Sequence, residues 1–267
     1  MKRILASILA TTALLSGSAS ASLVVNGNLT DWKINNKTLE SSLAGVHYTI
    51  EDSINPKDGY LAPGFGGQAY DAEALYATIQ DGRLWIALIT GHDPETESNP
   101  PYGYGAGDFA IDFGKDGSYE LGINVIAGGF GVAGGVYSNP TWAYGLWDAS
   151  GNYNPATPDP LHPTSLLGGV LVDTAAYKYS ASGNERYGQG KKDEHFLYEV
   201  SLDLATLYSA GWDGSEFNIH WTQNCANDSI IVDPGFAVPV PEPGSLALVG
   251  VGMVGLLGGS LRRRKEH

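Results

Sequence analysis

The stretch EALYATIQDGRLWIALIT, Glu73 to Thr90, decides the fold. Two runs rich in β-branched and aromatic residues flank Asp81-Gly82, a two-residue turn that matches the twist of paired strands. Leu84, Ile86 and Leu88 share one face, and Trp85, Ala87 and Ile89 share the other. Apolar side chains on both faces predict a central strand, either buried on both sides or roofed by loops on one of them.

The same period of two recurs outward from this hairpin. Val46 to Asp52 reads as a strand. Phe109, Ile111 and Phe113 alternate with Asp108, Ala110 and Asp112, and a turn at Gly114 to Gly117 leads into a second alternating run, Ser118 to Val125. This second hairpin is expected to have one core face and one wet face. His195 to Leu202 points Phe196, Tyr198, Val200 and Leu202 one way, and Glu216 to Thr222 does the same with Phe217, Ile219 and Trp221. Asp203 to Ser209 predicts a single helical turn capped by Asp203, and Ser229 to Val232 a closing strand. Residues 128–169 give one glycine-rich strand candidate, Phe130 to Tyr137, followed by a loop. Four prolines between Pro155 and Pro163 exclude long regular structure there, and Gly183 to Asp193 reads as a polar loop. Nine to eleven strands without a long helix predict an all-β, antiparallel, jelly-roll-like β-sandwich over residues 22–237.

Composition agrees with this class. Of 267 residues 36 are glycine and 10% are aromatic, a profile unlike that of disordered chains. Between Ser22 and Pro241 there are 9 basic and 27 acidic residues, a net of −18. A domain this acidic repels nucleic acid and anionic membrane surfaces, so neither is an expected partner. Cys225 is the single cysteine. It excludes an intramolecular disulfide and is expected to be a small buried hydrophobe.

The two ends carry addresses. Residues 1–21 combine Lys2 and Arg3, an apolar run from Ile4 to Leu15, and the cleavage pattern Ala19-Ser20-Ala21. These are the parts of a secretory signal peptide, cleaved after Ala21. At the other end a proline-rich linker, 238–243, precedes 18 uncharged residues, 244–261, and a basic tail, 262–267, with Arg262, Arg263, Arg264 and Lys265. A helix of 18 residues spans about 27 Å, close to a bilayer core, so 244–261 is expected to cross the membrane. The cations belong on the cytoplasmic side, which puts the acidic domain outside.

This tail resembles the PEP-CTERM sorting signal of Gram-negative bacteria in its Pro241-Glu242-Pro243 motif, its apolar segment and its arginine-rich end. The resemblance implies an exosortase, a membrane-embedded transpeptidase-like enzyme, as partner, with Pro241, Glu242 and Pro243 as the recognition site. It further implies an inner-membrane-anchored precursor that ends at the cell surface or in an exopolysaccharide matrix. The domain itself resembles carbohydrate-binding family 9 and DOMON-like sandwiches through Asn26 to Trp32, Leu84 to Ala87 and Asp108 to Phe113. Those relatives bind sugars between aromatic side chains, or calcium, or haem, and none of their site residues carries over.

No G-x-S-x-G, H-E-x-x-H, C-x-x-C or phosphate-loop pattern is present, so a non-enzyme is expected. A structural or adhesive role in an exopolysaccharide matrix is the reading that follows from the tail. The alternative is a carbohydrate- or calcium-binding module, and a hydrolase without a recognisable motif comes last. Trp142, Tyr144, Trp147 and Tyr153 would stack on sugars if exposed. Asp108, Asp112, Asp116 and Asp228 would supply oxygen ligands to calcium near strand ends. His195, Glu199 and His220 would hold a metal if their strands were neighbours.

Overall fold

The computed structural model describes residues 22–53, 65–96, 98–99, 102–127, 130–188 and 192–234. In chain order the strands are β1 (His47–Ile50), β2 (Ala72–Gln80), β3 (Arg83–Thr90), β4 (Ser98–Asn99), β5 (Tyr102–Gly103), β6 (Phe109–Phe113) and β7 (Leu121–Ile123). They continue as β8 (Gly135–Ala143), β9 (Ser165–Thr174), β10 (Ala176–Glu185), β11 (Asp193–Asp203), β12 (Phe217–Thr222) and β13 (Ser229–Val232), with one short helix, α1 (Leu204–Ser209). The first sheet runs β1-β2-β3-β11-β10 and the second β13-β12-β6-β7-β8-β9, while β4 and β5 form a separate ribbon. All pairings are antiparallel.

The β2–β3 hairpin sits inside the first sheet, as its two apolar faces require. Asp81 and Gly82 both take positive φ, 53° and 72°, the geometry that keeps paired strands coiled in register. Leu75, Ile86, Leu88, Tyr198 and Val200 from this sheet meet Phe109, Ile111, Ile123, Phe217, Ile219 and Trp221 from the other. These side chains form the central layer of a two-sheet sandwich.

The opposite face of the first sheet is roofed by the start of the domain. Leu23, Leu29, Trp32, Leu39 and Leu43 cover Ala74, Tyr76, Ala87, Ile89 and Leu197. Polar contacts fix this roof. The Glu199 carboxylate, on the outer face of β11, accepts hydrogen bonds from the backbone N–H groups of Asn26 (2.9 Å), Gly27 (2.6 Å) and Asn28 (3.2 Å), and from Trp32 Nε1 (3.1 Å). Tyr76 donates its hydroxyl proton to the Leu39 carbonyl at 2.6 Å. The turn at Asn26 to Asn28 is thus a ring of donors closed on a single buried anion.

Several expectations change. The second hairpin, β6–β7, has no wet face: Asp108 and Asp112 are buried, and Tyr137, Trp142 and Leu166 pack over Ala110. Trp142 lies directly on Gly122, where any Cβ would meet the indole at 2.9 Å. The Phe130 to Tyr137 candidate becomes β8, shifted to Gly135–Ala143, and Trp142 belongs to this strand instead of a loop. Its Pro140 is accommodated because Asn139 turns to φ 47° and the ladder slips there, leaving the missing N–H unneeded. β9 and β10 were not expected, and the polar loop at Gly183 begins only after Glu185. Asp203 does occupy the N-cap of α1, but its carboxylate makes no cap and pairs with Arg83 at 2.6 Å. Cys225 is buried, as expected. The signal peptide (1–21), the linker with its PEP motif (238–243), the transmembrane segment (244–261) and the basic tail (262–267) lie outside the described residues. Among the described residues no helix is long and apolar enough to cross a membrane.

Removing the anion under the roof orphans four donors at once. Glu199→Ala is therefore expected to lose about 3 kcal/mol or more of unfolding free energy. It should also open residues 22–46 to limited proteolysis, and urea melts with peptide mapping would show both effects.

Candidate metal centre

Five carboxylates converge where the two sheets meet at one end. Glu51 and Asp52 follow β1 directly. The register of β1 on β2 pairs Ile50 with Ala74, so Glu51 comes opposite Glu73, and the Glu51 N–H donates to the Glu73 carbonyl at 3.0 Å. Ala72 pairs with Thr90 and Ala74 with Ile89, which makes Glu73 the extra residue of a β-bulge. Bulges re-aim side chains at strand ends, and this one brings Asp71 and Glu73 into the same group. The fifth carboxylate comes from the other sheet: Asp228, just before β13, accepts the Ala72 N–H at 2.7 Å.

The backbone under Asp71 is held from below. Its carbonyl accepts Thr90 Oγ1 at 2.6 Å and the Gly91 N–H at 2.9 Å. Gly91 has no alternative at this position, since a Cβ would fall 1.7 Å from the Gln68 carbonyl oxygen. The close approach locks the turn at Gln68–Tyr70 onto the end of β3.

Oxygens of Glu51, Asp71 and Asp228 lie within 4.8 Å of one another, and so do oxygens of Asp52, Asp71 and Glu73. Asp71 is common to both triads. Asp71 and Glu73 are fully buried and Asp228 is 1% exposed. No N–H or hydroxyl donates to either Asp71 oxygen, and Glu73 Oε2 has no hydrogen-bond partner. Glu73 Oε1 is engaged, by Gln68 Nε2 and by the buried His195 Nε2 at 3.0 Å. Among the described residues no lysine or arginine forms an ion pair with Glu51, Asp71 or Glu73.

The electrostatic result is a strong preference for the neutral acids. Burial, and then the Asp228 carboxylate, push Glu51 up to about 8. Burial, followed by the charges of Glu73, Asp228 and Glu51, pushes Asp71 up to about 10. Beside the group lies a cavity of about 340 Å³ lined by Gln68, Tyr70, His92, Asp93, Asp193 and Glu194, among others.

The structure separates the four aspartates expected at a calcium site. Asp228 belongs to the carboxylate group just described. Asp108 is spent on structure, accepting the Val125 N–H at 2.7 Å and the Leu166 N–H at 2.8 Å. Asp112 accepts the N–H groups of Asp116 (3.1 Å) and Gly117 (2.9 Å), closing the β6–β7 turn. Asp112 and Asp116 do come together, with Glu120 as third member, but Glu120 itself accepts the Phe113 N–H at 2.7 Å. Glu51, Asp52, Asp71 and Glu73 were missed. Their signal was available as acids immediately flanking apolar strands, a pattern too common to select them.

His195, Glu199 and His220 do not form a site. β11 and β12 belong to different sheets, and Glu199 is committed to the roof. His220 is buried and stacks on His162 at 6.3 Å, with Tyr119 at 5.6 Å. Burial, then the neighbouring His162, push the His220 imidazole down to about 3.

The aromatic quartet is also dispersed. Trp142 packs on the second sheet, and Trp147 is buried with its Nε1 donating to Asn227 Oδ1 at 2.7 Å. Tyr144 is half-buried, and only Tyr153, 65% exposed and edge-on to Trp147, offers a ring face to solvent.

Comparison with known families adds one finding: the profile of the PEP-CTERM protein-sorting motif matches residues 239–264. The chain thus carries an exosortase-directed sorting motif, the reading drawn from Pro241-Glu242-Pro243 and the segment behind it. No curated protein matches the chain.

The buried His220 sets a pH dependence. An imidazole at about 3 when folded and near 6.5 when unfolded favours the folded state above pH 6.5, and this contribution is lost as pH falls toward 3. Relative to His220→Leu, the wild-type protein should lose up to about 1.4 kcal/mol per pH unit below pH 6.5. Paired urea melts between pH 7 and pH 4.5 would reveal the growing gap.

Proposed function

We propose that this protein is an exported component of the cell surface or extracellular matrix, delivered by exosortase processing of its C-terminal signal. The observation that carries this reading is the sorting motif at 239–264. Three further features support it. A signal-peptide pattern at 1–21 opens the chain, and the cations at 262–265 agree with it on one topology. A strongly acidic domain suits an environment outside the cell, where solubility and divalent cations replace nucleic-acid contact.

Within the matrix we read the sandwich as structural or adhesive. β9 is the outer strand of the second sheet. It exposes Leu167, Val170, Leu171 and Val172, with Val170 at 60%. An open edge of this kind invites pairing with a further chain, and natural sheets ordinarily blunt it with charge. Dedicated sugar recognition is less favoured, because Trp142 and Trp147 are buried and Tyr153 stands alone.

Intact mass of the mature protein from surface and medium tests the sorting reading. The expected form lacks residues 1–21 and ends near Pro241 to Pro243, and replacement of that tripeptide by alanines leaves the full tail in place. Retention of 244–267 in every mature form would contradict exosortase processing. For the body, Val170→Lys with Val172→Lys is expected to reduce retention in the matrix without lowering the unfolding midpoint.

A further inference from the structure

We propose that Glu51, Asp71, Glu73 and Asp228, with Asp52 at their rim, form a calcium site that joins the two sheets of the sandwich. This inference goes beyond the sorting and matrix reading and does not rest on it.

Exposed acidic clusters are common and mean little. This one differs because Asp71 is completely buried, aimed into the group, and receives no hydrogen-bond donor on either oxygen. Elsewhere the same chain satisfies its buried carboxylates. Glu199 has four donors, Asp108 has two, and Asp112 has two. A buried anion without donors is among the most costly groups in a folded protein. The neighbouring acids increase that cost, and His195, set between Glu73 at 3.0 Å and Asp193 at 3.5 Å, does not pair with Asp71. A divalent cation between the two triads would supply Asp71, the acid common to both, with the positive charge and the oxygen partner it lacks.

The donor set selects the ion. Every candidate ligand is a carboxylate oxygen, without thiolate, which points to a hard cation. Calcium accepts six to eight oxygens in loose geometry, whereas magnesium keeps its waters and prefers one or two carboxylates. Three chain segments, around residues 51, 71 and 228, supply more anionic oxygens than magnesium would use. The place in the fold gives the ion a role. Glu51, Asp71 and Glu73 belong to the first sheet and Asp228 to the second, so one ion would pin the end of the sandwich.

The test uses the mature protein as purified, stripped with chelator and titrated with calcium chloride. Calorimetry is expected to show saturable binding, with magnesium much weaker. The unfolding midpoint should rise by about 5–10 °C at a hundredfold excess over the dissociation constant. Asp71→Asn is expected to abolish both the heat and the shift. Because the amide is neutral without a proton or a cation, its midpoint in chelator should lie above that of the wild-type protein, whereas loss of a merely structural residue would lower it. Glu51→Gln, at the half-buried rim, should weaken calcium by roughly tenfold or more. Asp112→Asn, in the other acidic group, should leave binding unchanged. Absence of any shift up to about 10 mM calcium, well above the range of weak extracellular sites, would overturn the proposal. A full calcium response in both Asp71→Asn and Glu51→Gln, or its loss only in Asp112→Asn, would overturn it as well.

Discussion

The constraint on which this structure turns is the repulsion among carboxylates held where its two sheets meet. At separations within 4.8 Å and an effective dielectric near 20, each ionised pair costs about 3.5 kcal/mol or more. Asp71 takes part in two such triads, in a place without solvent and without donors of its own. The backbone nevertheless forces the arrangement. The bulge at Glu73, the seat of Gly91 on the Gln68 carbonyl, and the Ala72 N–H on Asp228 all hold the acids together. Folding therefore tolerates the cluster only when a proton or a cation neutralises it.

The middle of the same sheet shows how the chain treats an anion it satisfies by itself. Glu199 sits on the outer face of β11, where a charge would ordinarily be excluded, and four donors converge on it. Those bonds fix the turn at Asn26 to Asn28, and the turn brings Leu29 and Trp32 down onto Ala87 and Ile89. The second apolar face of the β2–β3 hairpin exists because that roof exists. One sheet thus carries two buried anionic places: one complete in itself and one that calls for a partner from outside. A protein delivered beyond the cytoplasm would meet that partner only after export, where calcium is abundant, so rigidity at the sheet junction would follow delivery.

Strands with strict alternation were legible in the sequence. Phe109 to Phe113, Phe196 to Leu202 and Phe217 to Trp221 all place their apolar residues in the central layer. The Asp81-Gly82 turn was equally clear, because few other residues accept two successive positive φ angles. β9 escaped because its apolar residues are exposed on an edge and Gly168-Gly169 interrupts any alternation. β8 was displaced because the candidate ended at Tyr137, whereas the strand runs on through Pro140, which a slip in the ladder absorbs. The wet face expected for Asp108 proved buried, as are His195 and His220, since layers outside the two sheets leave no mark on strand periodicity. The carboxylate group was illegible for a related reason: residues 51, 71 and 228 are brought together only by register, a bulge and the contact between sheets. The sorting motif, by contrast, is linear, and a linear pattern needs no fold to be read.

Calcium at the junction around Asp71 would couple the end of one sheet to the other. A crystal structure of the mature protein grown in calcium, with anomalous differences measured at long wavelength, addresses it directly. The expected result is a peak among Glu51, Asp71 and Asp228, with oxygens at about 2.3–2.6 Å. Carboxylates paired through shared protons, with oxygen–oxygen separations of about 2.5–2.7 Å and no anomalous peak, would contradict it.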